Sequence, residues 1–313
     1  MDNAEMALKA HFGDRLKTNV LLKEYTTMGV GGISDYFFVA DNIENLVDSV
    51  NFAYKNKIPF LILGDGSNVV VSDYGFPGLV IKNESSNIVI NKEKGEIIAD
   101  SGISLSKILN LAASKDLGGI EFLAGVPGRL GGCVHNNCGS KSNAIGDYVK
   151  SVTLLEEKSG KVIVTRHNAE WMDFDYRSTK LRNEFKNKFF KPVILTVKLR
   201  LARKRKDEIL RGIRESLEWK RDTQPLTEKS SGSFFKNPGK IREQSAGFLL
   251  EKAGAKKLRS GGASVSKKHA NFVINSKNAS AKDIRRLADT MRQSVKDGYN
   301  IDLDEEVEYI GKW

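Results

Sequence analysis

Cysteine is almost missing from this chain: 313 residues hold two, Cys133 and Cys138. Two thiols cannot build the disulfide framework of a small secreted domain, and their spacing is not the C-x-x-C of a structural metal site. They are expected to be small packing residues in a protein of the reducing cytoplasm. The four histidines, His11, His135, His167 and His269, show no ligand spacing, so no metal centre is expected. No apolar run approaches the roughly 20 residues needed to cross a bilayer. The opening Met1-Asp2-Asn3-Ala4-Glu5 is acidic and lacks an apolar stretch, so no secretory signal is expected. Internal repeats and low-complexity tracts are missing as well.

What is present describes a globular chain. The length admits roughly two to three domains of about 100–150 residues. A 40% hydrophobic share beside 28% charged residues is too apolar for a disordered chain. Lys and Arg number 50 against 39 Asp and Glu, a net charge of +11. Much of the excess lies between 251 and 300, where twelve Lys and Arg face four acids. These cations are scattered, and Phe272 and Tyr299 are the only aromatics among them, which is poor material for stacking on bases. A small phosphate-bearing ligand fits this pattern better than a nucleic-acid track.

Periodicity sketches the elements. Ile43, Leu46, Val47, Val50 and Tyr54 predict a helix over 42–56, followed after Pro59 by strands 60–63 and 69–71. Strand, turn and strand are expected over 79–100. Ser104 caps a helix with Leu105, Ile108, Leu109 and Ala112 inward, which Gly118-Gly119 stops. Ser151–Leu155 and Val162–Thr165 flank a Lys158-Ser159-Gly160 turn as a hairpin. Charge rises over 203–222, which suits an exposed helix or a boundary between domains, and Glu243–Ala253 is a helix. Ser280 with Asp283 forms a capping box opening a helix that Gly298 ends. The blocks show no sustained βαβ rhythm, so the fold class is α+β.

Three glycine-rich segments are candidates for holding phosphate: Thr26–Gly32, Gly64-Asp65-Gly66-Ser67-Asn68 between two strands, and Gly125-Val126-Pro127-Gly128-Arg129-Leu130-Gly131-Gly132. Glycine lets consecutive N–H groups approach phosphate oxygens without interference from Cβ. None matches a Walker A loop or G-x-G-x-x-G before a helix. Together they suggest one dinucleotide held by several loops.

These segments resemble the flavin domain of the UDP-N-acetylenolpyruvoylglucosamine reductases, members of the vanillyl-alcohol-oxidase-like flavoproteins. Downstream, Tyr176-Arg177-Ser178, Gly232-Ser233-Phe234-Phe235-Lys236-Asn237-Pro238, Gly262-Ala263 through Asn275, and Leu303-Asp304-Glu305-Glu306-Val307 continue the resemblance in order. It spans nearly the whole chain. It implies a two-subdomain FAD-binding fold, residues 1–85 and 86–202, with a UDP-sugar domain at 203–300 and a C-terminal strand at 301–313 returning to the first. The short interval from Arg177 to Ser233 resembles the subtype without a tyrosine-bearing lid.

The resemblance also implies a chemistry. FAD would be held without a covalent bond by Thr27, Gly31, Gly64, Gly66, Ser67, Asn68, Gly125, Gly128, Gly131 and Gly132. NADPH would reduce it, and hydride would pass from flavin N5 to the enolpyruvyl ether of UDP-N-acetylglucosamine, giving UDP-N-acetylmuramate for peptidoglycan. Arg177 matches the arginine that binds the substrate carboxylate, a site suited to a guanidinium fork. Ser233 matches the proton donor and Glu306 the acid that supports the enolate. Tyr176, Arg221, Lys236 and Asn237 would line the substrate pocket, and Cys133 and Cys138 would pack near the flavin. Glu305 stands where the family commonly has proline. Strand alternation lets only one of Glu305 and Glu306 face substrate, and Glu306, directly before valine, is the choice. A monomeric cytoplasmic enzyme without nucleic-acid or membrane partners is expected. Two alternatives remain open, a flavin oxidase using oxygen and a basic nucleic-acid-binding protein.

Overall fold

Residues 3–140, 143–185 and 190–313 are described in a computed structural model, and they mix helices and strands in an α+β arrangement. The chain divides into two compact units. One comprises Met1–Lys17, Tyr36–Gly64 and Gly78–Trp219; the other comprises Thr18–Asp35, Asp65–Pro77 and Lys220–Trp313.

The first unit has two apolar clusters. In one, the helix Ile43–Lys55 turns Leu46, Val50 and Ala53 inward, against Phe38, Leu79 and Ile81. Its N-cap is Asn42, whose Oδ1 accepts from the Asn45 amide at 2.8 Å. The strand Phe60–Leu63 runs parallel to Phe76–Asn83, pairing Phe60 with Leu79 and Leu63 with Lys82. The second cluster lies under a five-stranded antiparallel sheet in the order Lys161–Asn168, Val149–Lys158, Val193–Arg200, Glu96–Asp100, Ile88–Asn91. The expected hairpin is there and longer at both ends. Ser159 and Gly160 both take positive φ, 52° and 77°, which matches the right-handed twist of the flanking strands. Ser104 caps the helix Leu105–Ser114, which stops at Lys115 and Asp116 (φ 59°), ahead of the two glycines.

In the second unit the helix Ala281–Tyr299 buries Ile284, Leu287, Ala288, Met291 and Val295 against a three-stranded sheet ordered Arg259–Ser260, Ala263–Val265, Val273–Asn275. This helix runs through Gly298 and ends at Asn300, which takes the left-handed conformation (φ 54°) that asparagine tolerates. The helix placed at 243–253 is shorter, Ala246–Lys252, because Ser245 is its cap and Arg242–Gln244 form a separate tight turn. The strand Glu308–Ile310 pairs in parallel with Val69–Val71.

One expectation fails outright. Cys133 and Cys138 are not separate packing residues but are bonded to each other as a disulfide. The helix Leu130–His135 ends, and the chain reverses through Asn137 at φ 45°. That reversal brings Cys138 back over Cys133, its amide donating to the Cys133 carbonyl at 2.8 Å. Among the described residues, no helix is long and apolar enough to cross a membrane.

Candidate active site

The first unit holds Gly64, the Gly125–Gly132 loop, Tyr176 and Arg177. The loop leads into the helix Leu130–His135, with Gly125 at φ 77° and Gly128 at φ 132°. Its glycines serve different ends. Gly131 donates to the Ser101 carbonyl at 2.7 Å, and a Cβ there would meet the Ser101 Cβ at 2.9 Å. A Cβ at the exposed Gly132 would have nothing within 4 Å. Arg129 donates to the Gly102 carbonyl at 2.7 Å, and a Cβ on Gly64 would lie 3.1 Å from its Cγ, so the 64 and 125–132 segments meet. Lys82 fixes the first of these by donating to the Gly64 carbonyl at 2.5 Å.

Tyr176 and Arg177 sit at the tip of a tight turn closed by reciprocal hydrogen bonds between Asp175 and Ser178, both 3.1 Å. Arg177 takes φ 51°, uncommon for a side chain of its size. Its guanidinium donates from Nη2 to the Gly139 carbonyl at 2.9 Å and from Nη1 to the Asn137 carbonyl at 3.3 Å. Asn137 also ties down the turn itself, donating to the Asp175 carbonyl at 2.7 Å and accepting from Gly146 at 3.0 Å. Tyr176 is half exposed, its ring 5.7 Å from the Arg177 guanidinium carbon.

The second unit holds Thr27, Gly31, Gly66, Ser67, Asn68, Arg221, Ser233, Lys236, Asn237 and Glu306. Gly31 and Gly66 are buried, and each is glycine for reasons of chain packing. A Cβ on Gly31 would meet the Val71 Cβ at 2.9 Å; one on Gly66 would meet the Tyr25 carbonyl oxygen at 2.3 Å. The Thr27 hydroxyl donates to the Ser230 carbonyl at 2.7 Å, and its amide donates to the Gly66 carbonyl at 3.2 Å. Ser67 is half-buried. Asn68 donates to the Glu306 carbonyl at 3.1 Å, fixing the C-terminal segment by its backbone.

Ser233 opens a short ladder. Lys236 donates to the Asp304 carbonyl and Glu306 to the Phe234 carbonyl, both at 2.8 Å, with Phe235 opposite Glu305. This antiparallel pairing brings the Ser233 and Glu306 segments together. The buried Asn271 locks it, donating to the Phe235 carbonyl at 2.8 Å and accepting from the Phe235 amide at 2.9 Å. Glu305 accepts from Arg292 at 2.5 Å and from the Tyr309 hydroxyl at 3.0 Å. Burial, with Glu305 beside it, pushes the Tyr309 phenol well above its usual range, which keeps it a donor. Glu306, next along the chain, is half-buried. Asn237 accepts from the Ala246 amide at 3.1 Å and so helps cap the following helix. Arg221 is exposed in the last turn of the helix Lys206–Thr223, its carbonyl receiving the Lys268 ammonium.

Two family models match this chain: "FAD binding domain" over residues 34–166, and "UDP-N-acetylenolpyruvoylglucosamine reductase, C-terminal domain" over residues 224–310. A curated relative bearing that reductase name, from Clostridium novyi, is 36% identical across 96% of this chain and 93% of its own length. The chain belongs to the UDP-N-acetylenolpyruvoylglucosamine reductase family. The relative from Prochlorococcus marinus is 35% identical over 95% of this chain and 98% of its own. A solved reductase of the family, from Thermus caldophilus, superposes with a TM-score of 0.75 at 32% identity, covering 93% of this chain and 98% of that one.

FAD fits what these residues offer. The exposed face of Gly132, where even a Cβ would meet no atom within 4 Å, lies in the segment matched by the FAD-binding model and leaves the backbone there open to a diphosphate. Several residues that hold the segments carrying the predicted site residues went unread in the sequence: Lys82, Asn137, Asn271 and Arg292. Asn271 had a signal, a lone amide side chain in the run Ala270–Ile274. The others act through contacts with segments distant in sequence, which no local pattern reports.

Proposed function

We propose that this chain reduces the enolpyruvyl group of UDP-N-acetylglucosamine enolpyruvate, with non-covalent FAD as cofactor and NADPH as reductant. The observation that carries this reading is similarity to reductases of that name over nearly the full length of both chains. FAD, when bound, supplies the hydride that NADPH has delivered to it.

The chain's own residues bind, orient and handle the proton. Arg177, its fork oriented by the Asn137 and Gly139 carbonyls, takes the substrate carboxylate, where negative charge builds as the enol ether is reduced. Ser233 delivers the proton to the α-carbon; a serine hydroxyl is a weak acid, so a neighbouring acid must support it. The ladder that sets the Ser233 and Glu306 segments beside each other supports Glu306 as that acid. Tyr176, Arg221 and Lys236 complete substrate binding, and Asn237 contributes while capping its helix. Residues 1–85 and 86–202 serve FAD and 203–300 the UDP-sugar, in a monomer of the cytoplasm, where both nucleotides are found.

Purified protein is expected to be yellow, to bleach with NADPH in the absence of oxygen, and to recover its colour on addition of the enolpyruvyl substrate. Protein that takes up no FAD overturns the reading. Ser233→Ala should still bleach with NADPH and lose turnover by about 10²–10⁴-fold.

A further inference from the structure

The only two cysteines of the chain are bonded to each other, and their position is suggestive. Cys133 is buried and lies in the helix that follows the Gly125–Gly132 loop. Cys138 is partly exposed and directly precedes Gly139, whose carbonyl receives Arg177. The residue before Cys138, Asn137, supplies the other carbonyl to Arg177 and anchors the turn that carries it. The cross-link therefore fixes the short segment against which the guanidinium is oriented.

We propose that Cys133 and Cys138 form a reversible dithiol–disulfide modification site that sets the position of Arg177. The reaction partner is a low-molecular-weight disulfide. The Cys138 thiolate, the more accessible, attacks it and releases one thiol, leaving a mixed disulfide on Cys138. The Cys133 thiolate then displaces the second thiol. In sum, two cysteine thiols lose two electrons and two protons, and the external disulfide becomes two thiols. Reduction runs the same exchange backwards. Without the cross-link, residues 137–139 keep only hydrogen bonds: along the backbone, Asn137 to Val134 at 3.1 Å, Cys138 to Cys133 at 2.8 Å and Ile145 to Cys138 at 2.9 Å, and between the Asn137 side chain and both Asp175 and Gly146. Looser carbonyls orient Arg177 less well. The effect on catalysis rests on the assignment of Arg177 to the substrate carboxylate; the effect on the turn does not.

The test uses the full-length FAD-loaded protein, equilibrated with mixtures of oxidised and reduced glutathione. Alkylation with iodoacetamide followed by mass measurement should count no labels at the oxidised end and two at the reduced end. Hydrogen exchange in peptides covering 135–140 and 174–182 should quicken on reduction. The KM for the enolpyruvyl substrate should rise about fivefold, the order expected for weakening one charge-assisted hydrogen bond, while the rate of bleaching by NADPH stays within twofold. The double variant Cys133→Ser, Cys138→Ser should follow the reduced form at every glutathione ratio; if it does not fold, the redox titration of the natural chain decides alone. Two labels at the oxidised end overturn the proposal, and so does exchange at 174–182 that is identical in the two states. Altered exchange with no turnover in either state supports the lock and overturns the reductase reading instead.

Discussion

Glu305 and Glu306 are neighbours in different surroundings. Glu305 is engaged by Arg292 and by the Tyr309 hydroxyl, on the side of the ladder that meets the helix Ala281–Tyr299. Glu306 donates its amide to the Phe234 carbonyl at 2.8 Å, and alternation of an extended chain would turn its carboxylate away from that of Glu305. Glu305→Gln removes the charge from a partly buried ion pair and should cost about 1–3 kcal/mol of stability. Its turnover, measured per folded molecule, should stay within about tenfold of the natural chain. Glu306→Gln should melt close to the natural chain and lose about 10²-fold or more in kcat. Melting temperature and kcat taken on the same preparations check both, and the reverse pattern would move the acid to Glu305. From sequence the choice rested on a neighbouring valine. Arg292, on the helix Ala281–Tyr299, engages Glu305 from a separate part of the sequence, and period-two alternation alone cannot say which face is which.

At the scale of elements, the helix Ala281–Tyr299 shows how far a local reading reaches. Its capping box was legible because Ser280 and Asp283 are three residues apart, and each accepts from the other's amide, at 3.1 and 3.0 Å. Its first two amides are satisfied from elsewhere: Ala281 and Lys282 donate to the Asp73 carboxylate at 2.8 and 3.0 Å. Asp73→Ala should therefore destabilise the protein by about 1–2 kcal/mol, as loss of a charged cap does, read as a lower urea midpoint at unchanged slope. An unchanged midpoint would mean that Ser280 suffices. The same boundary between local and distant information runs through the whole fold. Helices with strong periodicity and their own caps, such as Ile43–Lys55 and Leu105–Ser114, were legible. The six-residue helix Leu130–His135 was not, since it is too short to show a period and is rich in glycine. In the site, the glycine loops were legible as loops. Which glycine faces packing and which faces open space, Gly131 against Gly132, depends on Ser101, a residue the loop's own sequence does not mention.

Charge and protonation act on the molecule as a whole. The net charge of +11 accords with anionic ligands without selecting one, and acidification raises it further. Superimposed on that general effect is a specific one at His269. Desolvation by burial is the main reason its imidazole titrates below the ordinary histidine range, and the Lys256 ammonium adds to it. Geometry agrees with the neutral ring: Nδ1 accepts from the Asn271 amide at 3.2 Å, which a protonated nitrogen could not do, and Phe272 packs edge-on with ring centroids 4.9 Å apart. The unfolded chain titrates this histidine near pH 6.5. Between that value and the lower folded one, the unfolded state binds a proton that the folded state refuses, so stability falls as pH drops through this window and is unaffected above it. Carboxylates held below their usual range act lower down. Burial pushes Glu156 up, but the Thr165 hydroxyl and His167 outweigh it and hold it below the ordinary glutamate range, so the support this carboxylate gives is lost as pH falls from that range through the lower folded value. Urea midpoints measured from pH 7.5 to 5.0 should decline more steeply for the natural chain than for His269→Gln, which cannot take up the proton. Parallel declines for the two proteins would assign the acid sensitivity to the general build-up of positive charge rather than to this ring.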